Sequence, residues 1–498
     1  MSERRHEDVV ILGAGPAGCT AARLLSAWGR RVVIVTRAPS RYALVESLPP
    51  SAAKLLDRVG VRHAVDMTGF IRATGNTARW GGQEVRVERF AEGLGYQLPR
   101  DRFDALMLAQ AADAGASVVW GVTGRIIPDR AGDGCVAVRF HFGGFTASLR
   151  APWVLDCTGQ KRAARQLERE QGPLPRTLAL AAVWETDRWK LPEPTHTLVE
   201  SYDGGWAWSV PQSMQRRFVT VMLDPSLTQL QGRRMIEAEY RRQLARAEWM
   251  QSTIPSGALI VGEPFARDAT PFFAGGVASE GVLRVGDAAS FVDPMSSYGI
   301  KKALASGWLA AVVVNTCLDD PSLAPHALAL YEQRERAMYS ALSRQAAALA
   351  GSAGAALDSA FWRARLDEGE SPAAPRGNGD GHEAEALRSD PRVSEAFAEL
   401  KRRERVRLRP GSAVTKAIRP VVEGERIVLR EHLVGGSFDG ALCWFRSVDL
   451  PHLQALAPEH EDVGALFEAY CRTAAPVPLP DFLAALAALI ATDALEFA

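Results

Sequence analysis

The chain has 498 residues, more than one ordinary hydrophobic core supports, so we expect two or three domains. Hydrophobic residues make up 47% and charged residues 23%, which is typical of soluble globular proteins. Positive and negative side chains balance at 58 each, so the clustered positive charge that binds nucleic acid is not indicated. The six cysteines form no CxxC pair, which argues against a metal site and a disulfide framework. No apolar run approaches ~18 residues, so the sequence predicts no membrane span and a cytoplasmic protein.

The strongest local pattern is the stretch DVVILGAGPAGCTAARLLSAWGRRVVIV near the start. An apolar strand, a GxGxxG loop, a helix and a second apolar strand follow one another, and this is the context in which the glycine motif predicts dinucleotide binding. The first glycine permits a tight turn, the second lets the backbone approach a pyrophosphate, and the third lets helix and strand pack closely. The helix N-terminus adds partial positive charge. The cofactor contacts predicted here are Gly13, Gly15, Pro16, Ala17 and Gly18.

The second strand does not end in the acidic residue that usually binds the ribose. That place holds Thr36 and Arg37, so ribose contacts have to come from elsewhere, and Glu46 is one candidate. Arg37 and Glu46 are both predicted to contact the cofactor.

Three later stretches favour FAD as the dinucleotide. LPRDRFDALML predicts a helix with Arg102 near its start, and APWVLDCTG predicts an apolar strand. GVLRVGDAASFVDPMSSYGIKKALASGWLAA predicts a strand, a Gly-Asp pair, a loop and a long helix, which resembles the para-hydroxybenzoate hydroxylase group. In that group the Asp contacts the FAD ribityl chain, and the loop and helix N-terminus lie against the flavin ring. The resemblance implies cofactor contacts from Arg102, Gly286, Asp287, Pro294, Ser297, Gly299 and Ile300.

The predicted fold class is α/β: a Rossmann-type, glutathione-reductase-like FAD fold with an inserted β-sheet domain and a small C-terminal domain. We expect residues 1–165 and 260–350 to form the FAD domain, and residues 166–259 to form a sheet that covers the substrate. Residues 351–399 are predicted to be a helix and a flexible linker, because 367–386 are rich in Gly, Pro and Asp. Residues 400–498 are predicted to form a small helical or winged-helix-like domain. They are interpreted either as a structural cap or as a docking module.

Three motifs resemble those of flavin-dependent halogenases over residues 1–345. WAWSVP at 206–211 matches their WxWxIP motif with Val210 in place of Ile, and FVDPMSSYG matches F-x-x-P-x-x-S-x-G. VESLP resembles their GESLP segment, with Val45 where Gly usually stands. The chain is therefore similar to the flavin-halogenase-like FAD monooxygenases.

A lysine that halogenases need is missing from this sequence. In that family it follows the GESLP glutamate by about thirty residues and meets hypohalous acid. Counting from Glu46 reaches Asn76, and no lysine lies between Lys54 and Lys161. Arg79 is nearby, but a guanidinium stays protonated and does not form a haloamine as an amine does. GNTARWGG instead resembles the flavoproteins that hydroxylate peptidyl tryptophan in tryptophylquinone biogenesis, as in quinohemoprotein amine dehydrogenase maturation.

The resemblance implies an FAD-dependent monooxygenase that uses O2 and a flavin C4a-hydroperoxide to hydroxylate an aromatic ring, tryptophan in a peptide or protein. NAD(P)H or a partner flavin reductase would reduce the FAD, and the C-terminal domain could dock the substrate. Such a site needs an apolar wall that excludes water. Trp206 and Trp208 alternate on a strand, so both face the flavin or both face the core; we favour the flavin.

Asp293 and Arg79 are the candidate catalytic residues, and Trp80 is a candidate on the substrate side. Asp293 is a candidate base because it is the one carboxylate in its loop, and a loop-ordering cap is the alternative. Two other functions stay open: a flavin-dependent tryptophan or aromatic halogenase, and a non-catalytic FAD-binding assembly partner.

Overall fold

The computed structural model describes residues 7–37, 44–121, 124–127, 134–142, 145–161, 175–230, 232–366, 387–388, 390–438 and 440–498. These residues divide into two compact units. The first comprises Met1–Asn315 and Met338–Ser371, and the second Thr316–Ala337 and Pro372–Ala498. The linker predicted at 367–386 lies outside the described residues, and the domain boundaries expected from the sequence stay a prediction.

The first unit contains a parallel sheet, a large mixed sheet and several smaller ones. Its strands are β1 (Val9–Leu12), β2 (Val32–Thr36), β3 (Val45–Leu48), β4 (Ile71–Ala73), β5 (Gly75–Arg79), β6 (Arg86–Arg89), β7 (Gly95–Pro99), β8 (Ser117–Trp120), β9 (Gly124–Ile127), β10 (Val136–Phe142), β11 (Phe145–Ala151), β12 (Trp153–Asp156), β13 (Leu178–Glu185), β14 (Thr197–Tyr202), β15 (Gly205–Pro211), β16 (Arg216–Leu223), β17 (Leu259–Asp268), β18 (Phe272–Phe273), β19 (Ala278–Ser279), β20 (Val282–Arg284) and β21 (Ser290–Phe291).

The helices of the chain include long ones that follow the Gly-Asp segment. Their bounds are α1 (Pro16–Ala27), α2 (Ala53–Val59), α3 (Arg62–Met67), α4 (Arg100–Asp113), α5 (Ile236–Arg246), α6 (Glu248–Thr253), α7 (Gly299–Asp319), α8 (Ala324–Leu357), α9 (Ala360–Leu366), α10 (Pro391–Arg402), α11 (Leu450–Leu456), α12 (Val463–Thr473) and α13 (Leu479–Ala491). No helix among the described residues is long and apolar enough to cross a membrane.

The parallel sheet has the strand order β19-β20-β12-β1-β2-β8, and its edge strand β19 alone pairs antiparallel with its neighbour. β1 lies between β12 and β2, pairs in parallel with both, and is completely buried. Strands that are buried on both faces need continuous apolar runs, and VVIL and VVIVT supply them. This arrangement confirms the predicted α/β class with a Rossmann-type nucleotide-binding half.

The mixed sheet has the strand order β17-β13-β16-β15-β14-β5-β6. The pairs β13–β16, β16–β15 and β15–β14 are antiparallel. On its other side, β14 pairs in parallel with β5. On one face, β13, β15 and β16 pack against α5 and α6 through a core that includes Leu180, Tyr240 and Met250. We call this sheet the roof sheet, or roof, because its opposite face covers the cavity described below.

The second unit has its own hydrophobic core. β23 (Val414–Glu423) and β24 (Arg426–Gly435) form an antiparallel hairpin, and Phe482, Leu486 and Leu489 of α13 are buried in the core. The remaining strands of this unit are β22 (Leu408–Pro410), β25 (Ala441–Leu442), β26 (Trp444–Phe445), β27 (Val448–Asp449) and β28 (Leu495–Phe497).

A buried arginine ties the roof sheet to the loop before β14. The Arg217 guanidinium donates to the carbonyl oxygens of Pro194 at 2.9 Å, His196 at 2.7 Å and Ser209 at 3.0 Å. Burial lowers its pKa to about 9. A buried carbonyl that loses its donor costs more than a made hydrogen bond gains, so this side chain is structurally important.

We expect Arg217→Met to lower the free energy of unfolding by about 3 kcal/mol, because three backbone carbonyls lose their donor. Arg216→Met is the matched control: Arg216 is half exposed and ion-paired with Glu185, so its loss is expected to cost less than about 1 kcal/mol. Urea unfolding measures both. Equal losses for the two variants would contradict this role of Arg217.

Candidate functional site

The glycine loop brings β1, α1 and the end of β12 into close contact. Gly13 has φ +104°, and a Cβ there would lie 2.5 Å from the carbonyl oxygen of Cys157. A Cβ on Gly18 would lie 2.1 Å from the carbonyl oxygen of Gly13. Gly15 has no heavy atom within 4 Å of the corresponding point, so its side of the loop is open. The N-terminus of α1 therefore presents free N–H groups to open space, which is the arrangement that binds a pyrophosphate.

The open side of the loop leads into a cavity of about 1680 Å³. Pockets for drug-sized ligands are typically ~300–1,000 Å³, so this cavity has room for a dinucleotide and a further molecule. It brings together most of the predicted site residues, which are Gly13, Gly15, Pro16, Ala17, Arg37, Glu46, Trp80, Trp206, Trp208, Asp287, Pro294, Ser297, Gly299 and Ile300. Gly18 and Gly286 do not line the cavity. They lie directly behind its lining, where Gly18 packs closely on Gly13 and Gly286 on Ala17.

The Gly-Asp segment and its loop form the part of the wall at the start of α7. Gly286 has φ +64°, and a Cβ there would lie 2.9 Å from the Ala17 Cβ, so the segment packs directly on α1. Burial raises the pKa of Asp287, and the Lys302 ammonium opposes that shift. Ser297 has φ +53°, which turns the loop into α7. These are the polar groups and close backbone approaches that FAD needs, so the residues present fit this cofactor.

Lys302 of α7 holds this loop from behind. Its side chain is 1% exposed, and its Nζ donates to the carbonyl oxygens of Gly286 at 3.0 Å and Ser290 at 2.6 Å. The ammonium also lies 3.8 Å from the Asp287 carboxylate. A charge within a mostly apolar helix is typical of a solvated position, so the sequence alone does not predict that Lys302 is buried.

Arg102 does not reach the cavity, and Arg100 takes the place predicted for it. Arg102 is exposed and donates to the carbonyl oxygen of Thr68 at 2.8 Å. α4 begins at Arg100, and two residues turn a helix by about 200°, so the two arginines lie on opposite sides. Arg100 lines the cavity and is ion-paired with Glu46 and, at 3.0 Å, with Asp104. Burial alone would lower its pKa, but the two carboxylates outweigh burial and raise it.

Arg79 is likewise directed away from the cavity, which corrects its assignment as a catalytic candidate. Asn76, Ala78 and Trp80 face the cavity, so the two-residue period of a strand sends Arg79 to the other face. There it lies 3.2 Å from Glu200, whose carboxylate also accepts from the backbone N–H of Met250 at 2.7 Å. Burial raises the pKa of Glu200 above its ordinary value.

The tryptophans form one aromatic wall of the cavity. Trp206 is 2% exposed, and its ring lies edge-on to that of Trp208 with centroids 6.0 Å apart. Trp80 packs edge-on against Trp362 of α9 at 5.7 Å, and its Nε1 donates to the carbonyl oxygen of Leu349 at 2.9 Å. Trp206 and Trp208 thus take part in core packing and line the cavity together, so the two alternatives left open by the sequence are both realised.

Asp293 orders its loop. Its side chain accepts from the backbone N–H of Met295 at 2.9 Å and caps the turn Pro294–Ser296. Burial raises its pKa, and the Met295 hydrogen bond opposes that shift. Asp293 is absent from the described cavity lining, so the geometry matches the cap rather than the base.

The family model for the FAD binding domain matches residues 6–316. The chain belongs to this family. The prediction of FAD as cofactor is thereby confirmed. The chain is 28% identical over 325 residues to the tryptophan 2-halogenase of Chondromyces crocatus. This match covers 62% of this chain and 61% of the halogenase. The chain thus matches less than two thirds of that relative's length.

Two solved structures share the fold of this FAD binding domain protein over almost its whole length. The flavin-dependent halogenase CmlS superposes with a TM-score of 0.72 at 20% identity, covering 98% of this chain and 96% of that one. The peptidyl tryptophan dihydroxylase QhpG, essential for tryptophylquinone cofactor biogenesis, gives 0.70 at 23% identity, covering 98% and 99%. At these identities the two neighbours establish the shared fold only.

We expect Arg100→Leu to weaken FAD binding about tenfold or more, because Glu46 and Asp104 lose their shared counter-charge beside the cavity. Arg102→Leu is the matched control and is expected to change affinity less than about twofold, since Arg102 lies outside the cavity. Titration of the FAD-free protein with FAD measures both. The opposite order of effects would restore Arg102 as the cofactor contact.

We expect Lys302→Met to weaken FAD binding by about tenfold, because the carbonyls of Gly286 and Ser290 lose their donor and the loop loosens. Lys301→Met is the control. The Lys301 ammonium donates to the Ser51 hydroxyl at 3.0 Å and lies 4.8 Å from the centre of the Tyr298 ring, and neither contact holds a carbonyl of the Gly-Asp segment, so little change is expected. The thermal midpoint of the FAD-free variants separates a binding effect from a general loss of stability. Unchanged affinity in Lys302→Met would show that the loop holds its shape without this lysine.

Proposed function

We propose that this chain is an FAD-dependent monooxygenase that hydroxylates an electron-rich aromatic ring, a tryptophan within a peptide or protein. One observation carries the proposal: among the described residues that line the cavity there is no lysine. The position at which the halogenase resemblance requires one holds Asn76, whose side chain lies on the cavity face of β5. An amide nitrogen is not basic, so it does not take up a halogen as an amine does.

Binding of the cofactor would rest on the glycine loop, Arg100 with Glu46, and the Asp287 segment. When bound and reduced, FAD would supply two electrons and activate O2, of which one atom enters the ring and the other leaves as water. The protein's own part is to position the ring and exclude water. Trp80, Trp206 and Trp208 provide an apolar wall of fixed orientation for both tasks.

The N-terminus of α7 contributes charge stabilisation. α7 begins at Gly299, which lines the cavity, and its first free N–H groups carry partial positive charge. Negative charge that develops on a reduced flavin ring beside them would be stabilised. Lys302 holds the loop before α7 in place, so it acts as a positioning residue in this scheme.

A flavin-dependent halogenase is the second candidate. It is favoured by the WAWSVP strand, whose two tryptophans line the cavity as the resemblance implies, and by the likeness to the Chondromyces halogenase. The two candidates differ in the fate of the oxygen atom. A hydroxylase puts it on the ring, whereas a halogenase uses it to oxidise halide.

The test is a single-turnover reaction of the FAD-loaded protein. The protein is reduced anaerobically and mixed with air-saturated buffer, with and without bromide, in the presence of a tryptophan-containing peptide. We expect mass spectrometry to show a gain of one or two oxygen atoms that bromide does not affect. A brominated peptide would establish the halogenase, and an unmodified peptide with normal flavin reoxidation would contradict both candidates for this substrate.

A further inference from the structure

The roof sheet has a free edge beside the mouth of the cavity. Its last strand in the described part of the chain is β6, and all four of its residues are exposed. β6 pairs with β5 through an uninterrupted antiparallel register from Gly75↔Arg89 to Ala78↔Arg86. No strand among the described residues pairs with its outer side.

The register identifies the backbone groups that this edge presents. The N–H of Phe90 donates to the carbonyl oxygen of Thr74 at 2.9 Å, so residues 74 and 90 form a hydrogen-bonded pair. Such pairs alternate along an antiparallel ladder, so Glu88 and Arg86 also direct their N–H and C=O groups to β5. Val87 and Arg89 then direct theirs outward. These outward groups are the ones a further strand would use.

β6 and the turn before it border two concave surfaces. Arg86, Glu88 and Phe90 line the large cavity. A second pocket of about 520 Å³ lies beside the turn that precedes β6 and shares Gln83 and Glu84 with the large cavity. Its other lining residues are Arg79, Gly82, Val85, Glu248 and Trp249. Val85 and Val87 are 43% and 53% exposed, so this edge also carries apolar surface.

We propose that the free edge of β6 binds an extended segment of the polypeptide substrate as an added strand, with the reacting aromatic side chain directed into the cavity and its two neighbours directed to the opposite face of the sheet. This inference rests on the proposed function. In strand addition, main-chain hydrogen bonds give affinity and pockets for alternate side chains give specificity. β6 offers both, because a strand added about 4.8 Å beyond it would continue the roof and send every second side chain toward the cavity.

The composition of the edge favours a polar substrate segment over a second copy of this chain. Three of the four β6 residues are charged, and charged edge strands resist pairing with apolar strands. The opposite edge of the roof, β17, is modified differently. Its register with β13 shifts between Ala181 and Val183, and Gly262 has φ +77°. Irregularities of this kind prevent any strand from pairing with an edge. β6 instead keeps a regular register with β5 and is protected by charge alone, so its outward N–H and C=O groups stay available to a polar segment.

A polypeptide is the occupant because only a chain can use the whole edge. A free amino acid could meet the groups of one residue, whereas an extended segment reaches those of both Val87 and Arg89. The cavity then accepts a single side chain from that segment, and the flanking backbone stays at the mouth. The substrate class is thus an exposed, extended segment with an aromatic residue.

The first test is a binding measurement without turnover on the oxidised, FAD-loaded protein. The probe is a rhodamine-labelled synthetic peptide of alternating threonine and serine around one tryptophan, followed by fluorescence anisotropy. Two derivatives carry one backbone N-methyl group, either on the tryptophan nitrogen or on that of the next residue. Because a strand directs alternate N–H groups to its neighbour, we expect one derivative to bind about fivefold more weakly and the other to bind like the parent.

The sensitive position also reports strand direction: the tryptophan nitrogen for parallel addition, the next residue for antiparallel addition. Equal affinity of both derivatives and the parent, or no saturable binding of the parent, would overturn the proposal. Because binding is read without oxygen chemistry, a peptide that binds with this pattern and is never oxygenated would refute the proposed function and leave the docking site standing.

The second test changes the protein. Val87→Pro removes the outward N–H of β6 but no hydrogen bond to β5, and proline is tolerated on an edge strand in that orientation. We expect it to weaken peptide binding about fivefold and to leave FAD binding unchanged. Val87→Ala, which keeps the N–H and loses the exposed side chain, is the control and should bind the peptide within about twofold of the parent protein. Equal losses in both variants would assign the effect to the side chain and contradict strand addition.

Discussion

The two-residue period of the roof sheet is the constraint on which the site depends. A strand sends alternate side chains to opposite faces, so once Trp206 is directed to the cavity, Trp208 is directed there as well. Pairing carries this choice across the sheet, since Trp208 lies opposite Thr220 on β16 and opposite Val199 on β14, and all three line the cavity. A shift of one residue in any of these registers would turn the tryptophans away from the cavity and bring over it the residues that pack against α5 and α6.

The sequence was sufficient for the parts of the site that depend on local patterns. The glycine loop, the Gly-Asp segment and the shared face of the two tryptophans follow from motif and period, and the structure brings them to one cavity. The sequence did not predict the direction in which a single side chain points. The structure places Arg79 and Arg102 outside the cavity lining. The phase of a strand and the first residue of a helix decide which side a residue faces, and an error of one residue in either reverses the predicted side.

Lys302 was missed for a different reason. Its burial depends on carbonyl groups supplied by a loop twelve to sixteen residues earlier in the chain, and no local pattern encodes that pairing. The same applies to Arg217, whose acceptors come from the loop before β14 and from β15. Charges buried in this way are costly unless every donor is matched, so they fix backbone segments that lack regular secondary structure. Lys302 does this for the Gly-Asp segment, whose Asp287 lines the cavity, and Arg217 does it for the loop before β14.

The difference between hydroxylation and halogenation on this fold comes down to one kind of side chain in the cavity. Halogenation by the route that the family resemblance implies needs an amine that can exist uncharged and be halogenated. The described cavity lining offers cations only as guanidinium groups, including Arg37, Arg86, Arg100 and Arg267. Guanidinium groups stay protonated and bind carboxylates or phosphates, so they suit a cofactor and a polar cavity mouth and not transfer of halogen. On this ground we propose direct oxygen transfer to an aromatic ring in the cavity, and we propose the free edge of β6 as the place where the polypeptide that carries this ring binds.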